Sequence, residues 1–435
     1  MFKKNRVSDF RGFVFLIALL GALTLTTKRD SLAASGDIVP NQFIIVVNEV
    51  HDPAQVAADH AAVPLNLYTA AVRGFAVRLS PRQLGALAAD PRIDLIEPDL
   101  VVTFVPPVGP PRVSIQLHEN DFETLTSGID RIDAELNPRT DVSTIGIAVI
   151  DTGIWKTHVD LNVADGYNCT GKDKSKWNDD NGHGTHVAGI AAAETGDDKG
   201  VRGVAPNGRL YAVKVLDRTG SGFLSWVICG VDWVTANAGS KGIQIANMSL
   251  GFEGTSASLN AAITKSVVAG VSYSVAAGNS SKDAATFSPA NHPDVITVSA
   301  IADSDGKCGA TGSPTNYGAD DTFASFSNFG SLIELAAPGV DILSTWKGDK
   351  KNPGGLYATA SGTSMASPHV AGAAAQYKAS NPGATPTGIR DALIGAGTSQ
   401  SPVECTADDT TGRLRGGFYL DPDADPEPLV DAAGL

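Results

Sequence analysis

Residues 145–155 read IGIAVIDTGIW. The stretch from Ile145 to Ile150 is apolar or small at every position and rich in β-branched residues. Such a run, apolar without alternation, belongs to a strand buried on both faces. Asp151 follows directly, at the carboxyl end of that strand. A carboxylate there is costly unless it is hydrogen-bonded or paired. Taken alone, DTG is also an ordinary turn in which Gly153 takes the bend.

The same kind of run recurs along the chain at 144–150, 210–216, 243–250, 271–276, 295–301 and 332–337. Helical spacing lies between several of them, at 183–194, 223–238, 256–269 and 365–379. Strand–helix alternation predicts an α/β fold: a doubly wound, mostly parallel sheet with helices on both faces. In such sheets, sites gather at the carboxyl ends of strands. Upstream, residues 38–104 predict a separate small α+β domain. Its strands are 42–47, 74–80 and the extended 93–104, and its helices are 52–62 and 80–91, the latter starting Ser-Pro. Between the two, VPPVGPPR (105–112) is extended and poorly helical. The expected division is 1–34, 38–104, a linker or processing region at 105–117, and the large domain at 118–435.

The N-terminus is that of an exported chain. Lys3, Lys4, Arg6 and Arg11 precede an apolar run from Phe13 to Leu25, and SLAAS follows. That run is short for a membrane span and suits a signal peptide ending near Ala33 or Ala34. The predicted product is secreted, extracellular and monomeric, with no membrane attachment after signal removal. The formal charge of −14 argues against nucleic acid as a partner. It leaves carboxylates available for a hard cation. Cys169, Cys229, Cys308 and Cys405 are widely spaced and form no CxxC, which disfavours zinc. Export permits disulfides; their pairing is open, and Cys229 also suits a buried thiol.

Three further stretches carry polar residues where strands end or helices begin. NGHGTHVAGI (181–190) opens an apolar helix with His183. VAAGNSS (275–281) ends a strand at Asn279. SGTSMASPHVAG (361–372) places Ser364 at the start of another helix. There, unpaired backbone N–H groups and the positive end of the helix dipole favour negative charge on a reacting oxygen. Each stretch alone is a turn or a helix start. Together they supply a hydroxyl, a base, a carboxylate to orient it and an amide donor.

DTGI, GHGTHVAG, AAGN and GTSMASPHVAG resemble the signatures of the subtilisin-like serine proteases, the subtilases. GVAPNGRLYAVKVLD (203–217) and NMSLG (247–251) are similar to the family as well, and GIDRIDA (128–134) is nearest its proteinase K branch. Residues 38–104 resemble the family's inhibitory propeptide. The resemblance implies that Ser364 is the nucleophile, His183 its general base and then acid, and Asp151 the group that orients His183. Asn279 and the Ser364 N–H then form the oxyanion hole. It also implies a preproenzyme that processes itself, whose prodomain blocks the site with a segment near 99–105.

A peptide substrate would lie as an added strand between Gly220–Ser221–Gly222 and Ser249–Leu250–Gly251. Ala277 and Gly278 would line the pocket for the residue before the cut bond, with an apolar preference. Phe252 and Glu253 would narrow or recharge that pocket. The resemblance further implies structural Ca²⁺ at Asp160, nine residues after Asp151. The loop ETGDDKGV (194–201) would add a side-chain oxygen of Asp197 and backbone oxygens of Thr195, Lys199 and Val201. Gln116, Glu119 and Asp121 are alternative N-terminal ligands, and no organic cofactor is expected. The acidic DPDADPE (421–427) reads as a solvated turn. Two other classes compete with a peptidase. One is a catalytically silent binding protein of the same fold, and the other a metallohydrolase built on His183 and His186.

Overall fold

A computed structural model describes residues 35–105, 108–114, 123–196, 198–400, 405–407 and 414–435. The signal-peptide reading, parts of the linker, Asp197, Gln116, Glu119 and Asp121 lie outside the described residues. From Ile38 the chain builds an antiparallel sheet of β1 (Ile38–Val47), β2 (Pro64–Tyr68), β3 (Gly74–Arg78) and β4 (Ile93–Phe104), in the order β4-β1-β3-β2. Helices α1 (Pro53–Asp59) and α2 (Pro81–Ala88) cover one face, over a core that includes Ile45, Phe75, Val77 and Leu87. Both helices have Pro in the first turn. Ser80 and Gln83 form a capping box on α2.

Next come β5 (Arg112–Ser114), α3 (Ser127–Arg131), β6 (Gly146–Asp151), β7 (Val163–Asn168), α4 (His183–Ala192), β8 (Arg209–Lys214) and β9 (Ser221–Phe223). They are followed by α5 (Leu224–Lys241), β10 (Ile243–Met248), β11 (Leu250–Glu253), α6 (Ala257–Val268), β12 (Ser272–Ala276), β13 (Phe287–Ser288) and β14 (Ile296–Ala302). After these come β15 (Thr322–Phe323), β16 (Leu335–Pro338), β17 (Ile342–Trp346), β18 (Leu356–Ala360), α7 (Thr363–Ser380) and α8 (Pro386–Ala396).

The large sheet runs β15-β14-β12-β10-β6-β8-β7, with β16 also on β14. All of its pairings are parallel except β15 on β14. The fold is therefore the doubly wound, mostly parallel α/β sheet that the sequence predicts. Side chains of β6 divide between its two faces. Ile147 and Val149 pack into the core under α4 and α7, while Ala148 and Ile150 pack into the core under α5. Every residue of α4 is buried, so that helix is enclosed on all sides rather than amphipathic.

Several elements are absent from the sequence reading. β7 adds an edge to the sheet although VADGYN has no apolar run. β17, β18 and β5 form a small antiparallel sheet. The C-terminal tail docks on β16: Ala336 N–H donates to Pro428 O and Val430 N–H to Ala336 O. Glu427, at the end of the acidic stretch, is only 4% exposed. The cysteines pair as Cys169–Cys229 and Cys308–Cys405, so Cys229 is not a free thiol. No helix among the described residues is long and apolar enough to cross a membrane.

Candidate active site

Strand β6 delivers Asp151, fully buried, to the edge of helix α4. Both carboxylate oxygens lie against His183 Nδ1, at 2.8 and 2.9 Å, and Oδ1 also accepts the Thr152 N–H. The close approach depends on Gly184. A Cβ there would stand 2.2 Å from Gly153 O and 3.1 Å from the Asp151 side chain. The loop before His183 is organised by Asp179, which no motif singled out. Its carboxylate accepts from Thr152 Oγ1, from the N–H groups of Asn181, Gly182 and Thr185, and from Thr185 Oγ1. Burial pushes the Asp179 carboxyl above its ordinary pKa, and the Thr185 and backbone donors oppose that rise. No local signal singles it out, because it sits in the polar run KWNDDNG (176–182) beside a second acid, Asp180.

Ser364 is the second residue of α7 and fully buried. Pro368 lies inside that helix and has no N–H for the carbonyl four residues back. That carbonyl, Ser364 O, accepts instead from Ser249 Oγ at 2.9 Å. Asn247 Nδ2 donates to Ser249 Oγ, and Ser367 Oγ donates to Asn247 Oδ1. The helix break is thus repaired by a chain of hydrogen bonds that fastens the first turn of α7 to the end of β10. Asn279 Oδ1 accepts from both Thr363 N–H and Thr363 Oγ1, each at 2.9 Å. These bonds commit the amide oxygen to the helix start and turn its NH₂ away from Thr363.

The cleft between these groups is filled by the chain's own β4. Val101, Val102 and Thr103 pair antiparallel with Phe223, Gly222 and Ser221, while Thr103 and Phe104 pair with Gly251 and Leu250. Phe104 N–H donates to Gly220 O at 3.0 Å and Val105 N–H to Ser249 O at 3.1 Å. Ser364 Oγ donates to Val105 O at 2.7 Å and lies 3.3 Å from Ser249 O. His183 Nε2 has no hydrogen-bond partner among the described residues, since the serine hydroxyl is turned to Val105. Gly220 makes room for the Phe104 ring: its φ is +79°, and a Cβ would fall 1.6 Å from a ring carbon. Beside Val105 opens a cavity of about 450 Å³, lined in part by Phe252, Glu253, Ala277, Gly278 and Asn279. Lys282 Nζ bonds the Glu253 carboxylate at 2.9 Å.

The N-terminal domain grips the body at three further carboxylates. Asp99, fully buried, accepts from Ser225 N–H and Oγ in the first turn of α5, and from Gln42 Nε2. Glu97 accepts from Ser258 N–H, Ser258 Oγ and Ser256 Oγ at the start of α6. In the reverse sense, Asp232 of α5 accepts N–H groups of Thr69, Ala70 and Ala71.

Asp160 is fully buried beside the 194–201 loop. Its Oδ2 accepts Val201 N–H at 3.0 Å and the Tyr357 hydroxyl at 3.3 Å. Thr195 Oγ1 and Gly196 N–H both donate to Glu123, at 2.7 Å, so Glu123 brings a further carboxylate that the sequence reading did not name. Hard oxygen donors without sulfur or imidazole fit Ca²⁺. Among the described residues one acidic trio, Asp303, Asp305 and Asp320, has carboxylate oxygens within 4.8 Å of one another. Arg131 already pairs with Asp303 there, at 2.7 Å. His186 points away from His183. Its Nε2 faces the carbonyls of Ile342 and Ala358, and burial pulls its pKa down to about 3. It is a neutral core histidine, not half of a metal pair.

Comparison with known proteins agrees with this fold. A model of the subtilase family matches residues 143–412, and a model of peptidase inhibitor I9 matches residues 38–104. The chain is 37% identical over 385 residues to alkaline serine exoprotease A of Vibrio alginolyticus, covering 85% of this chain and 64% of that one. It is 34% identical over 400 residues to an alkaline protease of Alkalihalobacillus alcalophilus, covering 88% and 93%. Subtilisin E of Bacillus subtilis (strain 168) is 40% identical over 259 residues, covering 59% and 61%. A crystal structure of a cold adapted subtilisin-like serine proteinase superposes with a TM-score of 0.52 at 36% identity, covering 70% of this chain and all of that one.

Proposed function

This chain belongs to the subtilase family of serine endopeptidases, and we propose that it cuts protein and peptide substrates through an acyl-enzyme on Ser364. The observation that carries this reading is the strand Val101–Val105. It lies between two backbone edges with its last carbonyl oxygen 2.7 Å from Ser364 Oγ. A substrate replaces that strand and takes the same backbone bonds. Ser364 Oγ then attacks the carbonyl carbon while His183 Nε2 takes its proton. Asp151 holds the imidazole by Nδ1 and stabilises its charged form. The Asn279 NH₂ and the Ser364 N–H receive the oxyanion. The C–N bond breaks as His183 returns the proton to the leaving nitrogen, and water repeats the sequence on the ester.

Ala277 and Gly278 line the pocket for the residue before the cut bond, and its apolar walls favour an apolar side chain. The protein is made as a secreted preproenzyme, monomeric, whose residues 38–104 inhibit it in the same chain and are removed by autocleavage. Ca²⁺ would be held by Asp160, Asp197 and backbone oxygens of Thr195, Lys199 and Val201, where it cross-links the loop and takes no part in the chemistry. The test is active-site labelling. A fluorophosphonate probe should label Ser364 in the processed protein, and labelling elsewhere, or none, sinks the reading.

A further inference from the structure

We propose that the bond held over Ser364 is one this site does not cut: Val105–Pro106 stays intact, and the prodomain inhibits as a strand anchored on both sides of it. The proposal rests on Ser364 being the nucleophile.

The register is set by four backbone pairings and one side-chain bond. Val102 faces Gly222, Thr103 faces Gly251, and Phe104 N–H donates to Gly220 O. Val105 N–H donates to Ser249 O, and Val105 O receives the Ser364 hydroxyl. Val105 is therefore the residue whose carbonyl meets the nucleophile. The next two residues in the sequence are Pro106 and Pro107.

Acylation at this place would form the Ser364 Oγ–Val105 C bond and break the Val105 C–Pro106 N bond. The departing nitrogen must take the proton that His183 Nε2 received from Ser364. In an ordinary amide that nitrogen carries a hydrogen and one carbon. In proline it carries two carbons, one of them the ring Cδ, which the ring fixes in place. The nitrogen must turn its lone pair toward Nε2 with that ring carbon in tow. The imidazole cannot retreat to make room. Asp151 holds it at Nδ1, and the Phe104 ring lies against its face at 4.5 Å. An adduct formed here collapses back by expelling Ser364 Oγ, which breaks the Oγ–C bond, re-forms the carbonyl of the still intact prolyl amide and returns the proton from His183 to the serine.

The far side of the bond is also fastened. Val108 N–H donates to Ser361 O at 2.8 Å, and Tyr317 Oη donates to Val108 O at 2.6 Å. Arg112–Ser114 then pair with Tyr357–Thr359 of β18. After a rare cut the chain from Val108 onward would stay tied to the body by these bonds, which favours re-formation of the bond over loss of the fragment. Removal of the prodomain therefore requires a cut at some other bond.

The experiment compares the full-length chain with the Pro106→Ala/Pro107→Ala double variant, each with and without Ser364→Ala. The readouts are N-terminal sequencing and intact mass over a time course. The wild type is expected to give no chain beginning at position 106, while the double variant gives one that disappears when Ser364→Ala is added. A wild-type chain beginning at Pro106 that depends on Ser364 overturns the proposal. So does a double variant that hydrolyses peptides yet makes no cut at 105–106. To cover a misfolded variant, quenched peptides VVTFVPPV and VVTFVAAV are offered to the processed enzyme. The second should be cut after its Phe-Val pair at least about 100-fold faster, and equal rates overturn the proposal. If no form takes fluorophosphonate label or hydrolyses any peptide, it is the assignment of Ser364 that falls, and this proposal falls with it.

Discussion

The ring of Phe104 lies on the imidazole of His183, with centroids 4.5 Å apart and planes 23° from parallel. One residue of the prodomain thus covers the candidate base, while the next residue occupies the candidate nucleophile. Phe104→Ala should loosen the inhibitory strand by about 1–3 kcal/mol, the sum of a lost ring pair and lost apolar burial. The full-length variant should then hydrolyse a short chromogenic peptide about 5–100-fold faster than the full-length wild type. An unchanged rate would show that the ring adds nothing to the block.

Asp151 makes both of its His183 contacts from a fully buried position. Asp151→Asn keeps the volume but offers an amide to Nδ1 and so favours the wrong tautomer. A loss of kcat of about 10⁴ is expected, with KM nearly unchanged. Asn279→Ala should lower kcat by about 10²–10³, a magnitude known from the corresponding donor of subtilisin itself, a relative of this chain. Steady-state kinetics on the processed variants checks both.

Glu97 and Asp99 bring carboxylates to the first turns of α6 and α5. A carboxylate there satisfies orphan N–H groups and meets the positive end of the helix dipole, worth about 0.5–2 kcal/mol at each helix. Glu97→Gln and Asp99→Asn should each weaken the hold of the prodomain, and the pair should weaken it roughly additively. In the Ser364→Ala background, amide exchange across the first turns of α5 and α6 should rise. Unchanged protection would argue against this contribution.

The C-terminal tail should respond to pH through Glu427. Burial and the neighbouring Asp421 push its pKa up to about 8, while Ser299 Oγ, donating to it, works against that rise. The folded state therefore holds a proton that the unfolded chain releases near pH 4.5. This contribution is fully present below pH 4.5 and is lost as pH rises through about 8. Thermal unfolding of the Ser364→Ala protein should show Tm falling over that window, and Glu427→Gln should flatten the fall. An unaltered slope in the variant would remove Glu427 as its source.

Calcium should stabilise the 194–201 loop. Adding Ca²⁺ to the chelator-treated Ser364→Ala protein should raise Tm, with about 2.7 kcal/mol gained at a hundredfold excess over Kd. Asp160→Asn should abolish most of that gain. A calcium response that survives Asp160→Asn would place the ion elsewhere.

The parallel sheet is legible because its central strands are buried on both faces, and β6, β8, β10, β12 and β14 read as short, mainly apolar or small runs rich in β-branched residues. β7 escapes notice for the opposite reason. It is an edge strand, only partly buried, and VADGYN mixes polar residues and glycine with its few apolar ones. The sheet of β5, β17 and β18 joins segments far apart in sequence, and nothing local announces a pairing such as Arg112 with Thr359. The site is legible where a residue type sits beside the small residues that its geometry requires, as with His183 next to Gly182 and Gly184. Asp179, Glu123 and Phe104 carry no such flag. Their roles come from what the fold sets against them. Disulfide pairing is a fact of three-dimensional distance, so four widely spaced cysteines could not declare it.

The two edges that grip β4 have a further consequence once that strand is gone. β9 has three residues and β11 has four, and each then presents open N–H and C=O groups to water. An open strand edge invites pairing with any extended chain, including another copy of the same protein. Both edges are short and contain glycine, and the gap between them admits a single strand. The released enzyme should thus resist stacking into aggregates while accepting one unfolded segment at a time. Its selectivity for unfolded over folded protein would then come from the width of that gap before any side-chain preference acts.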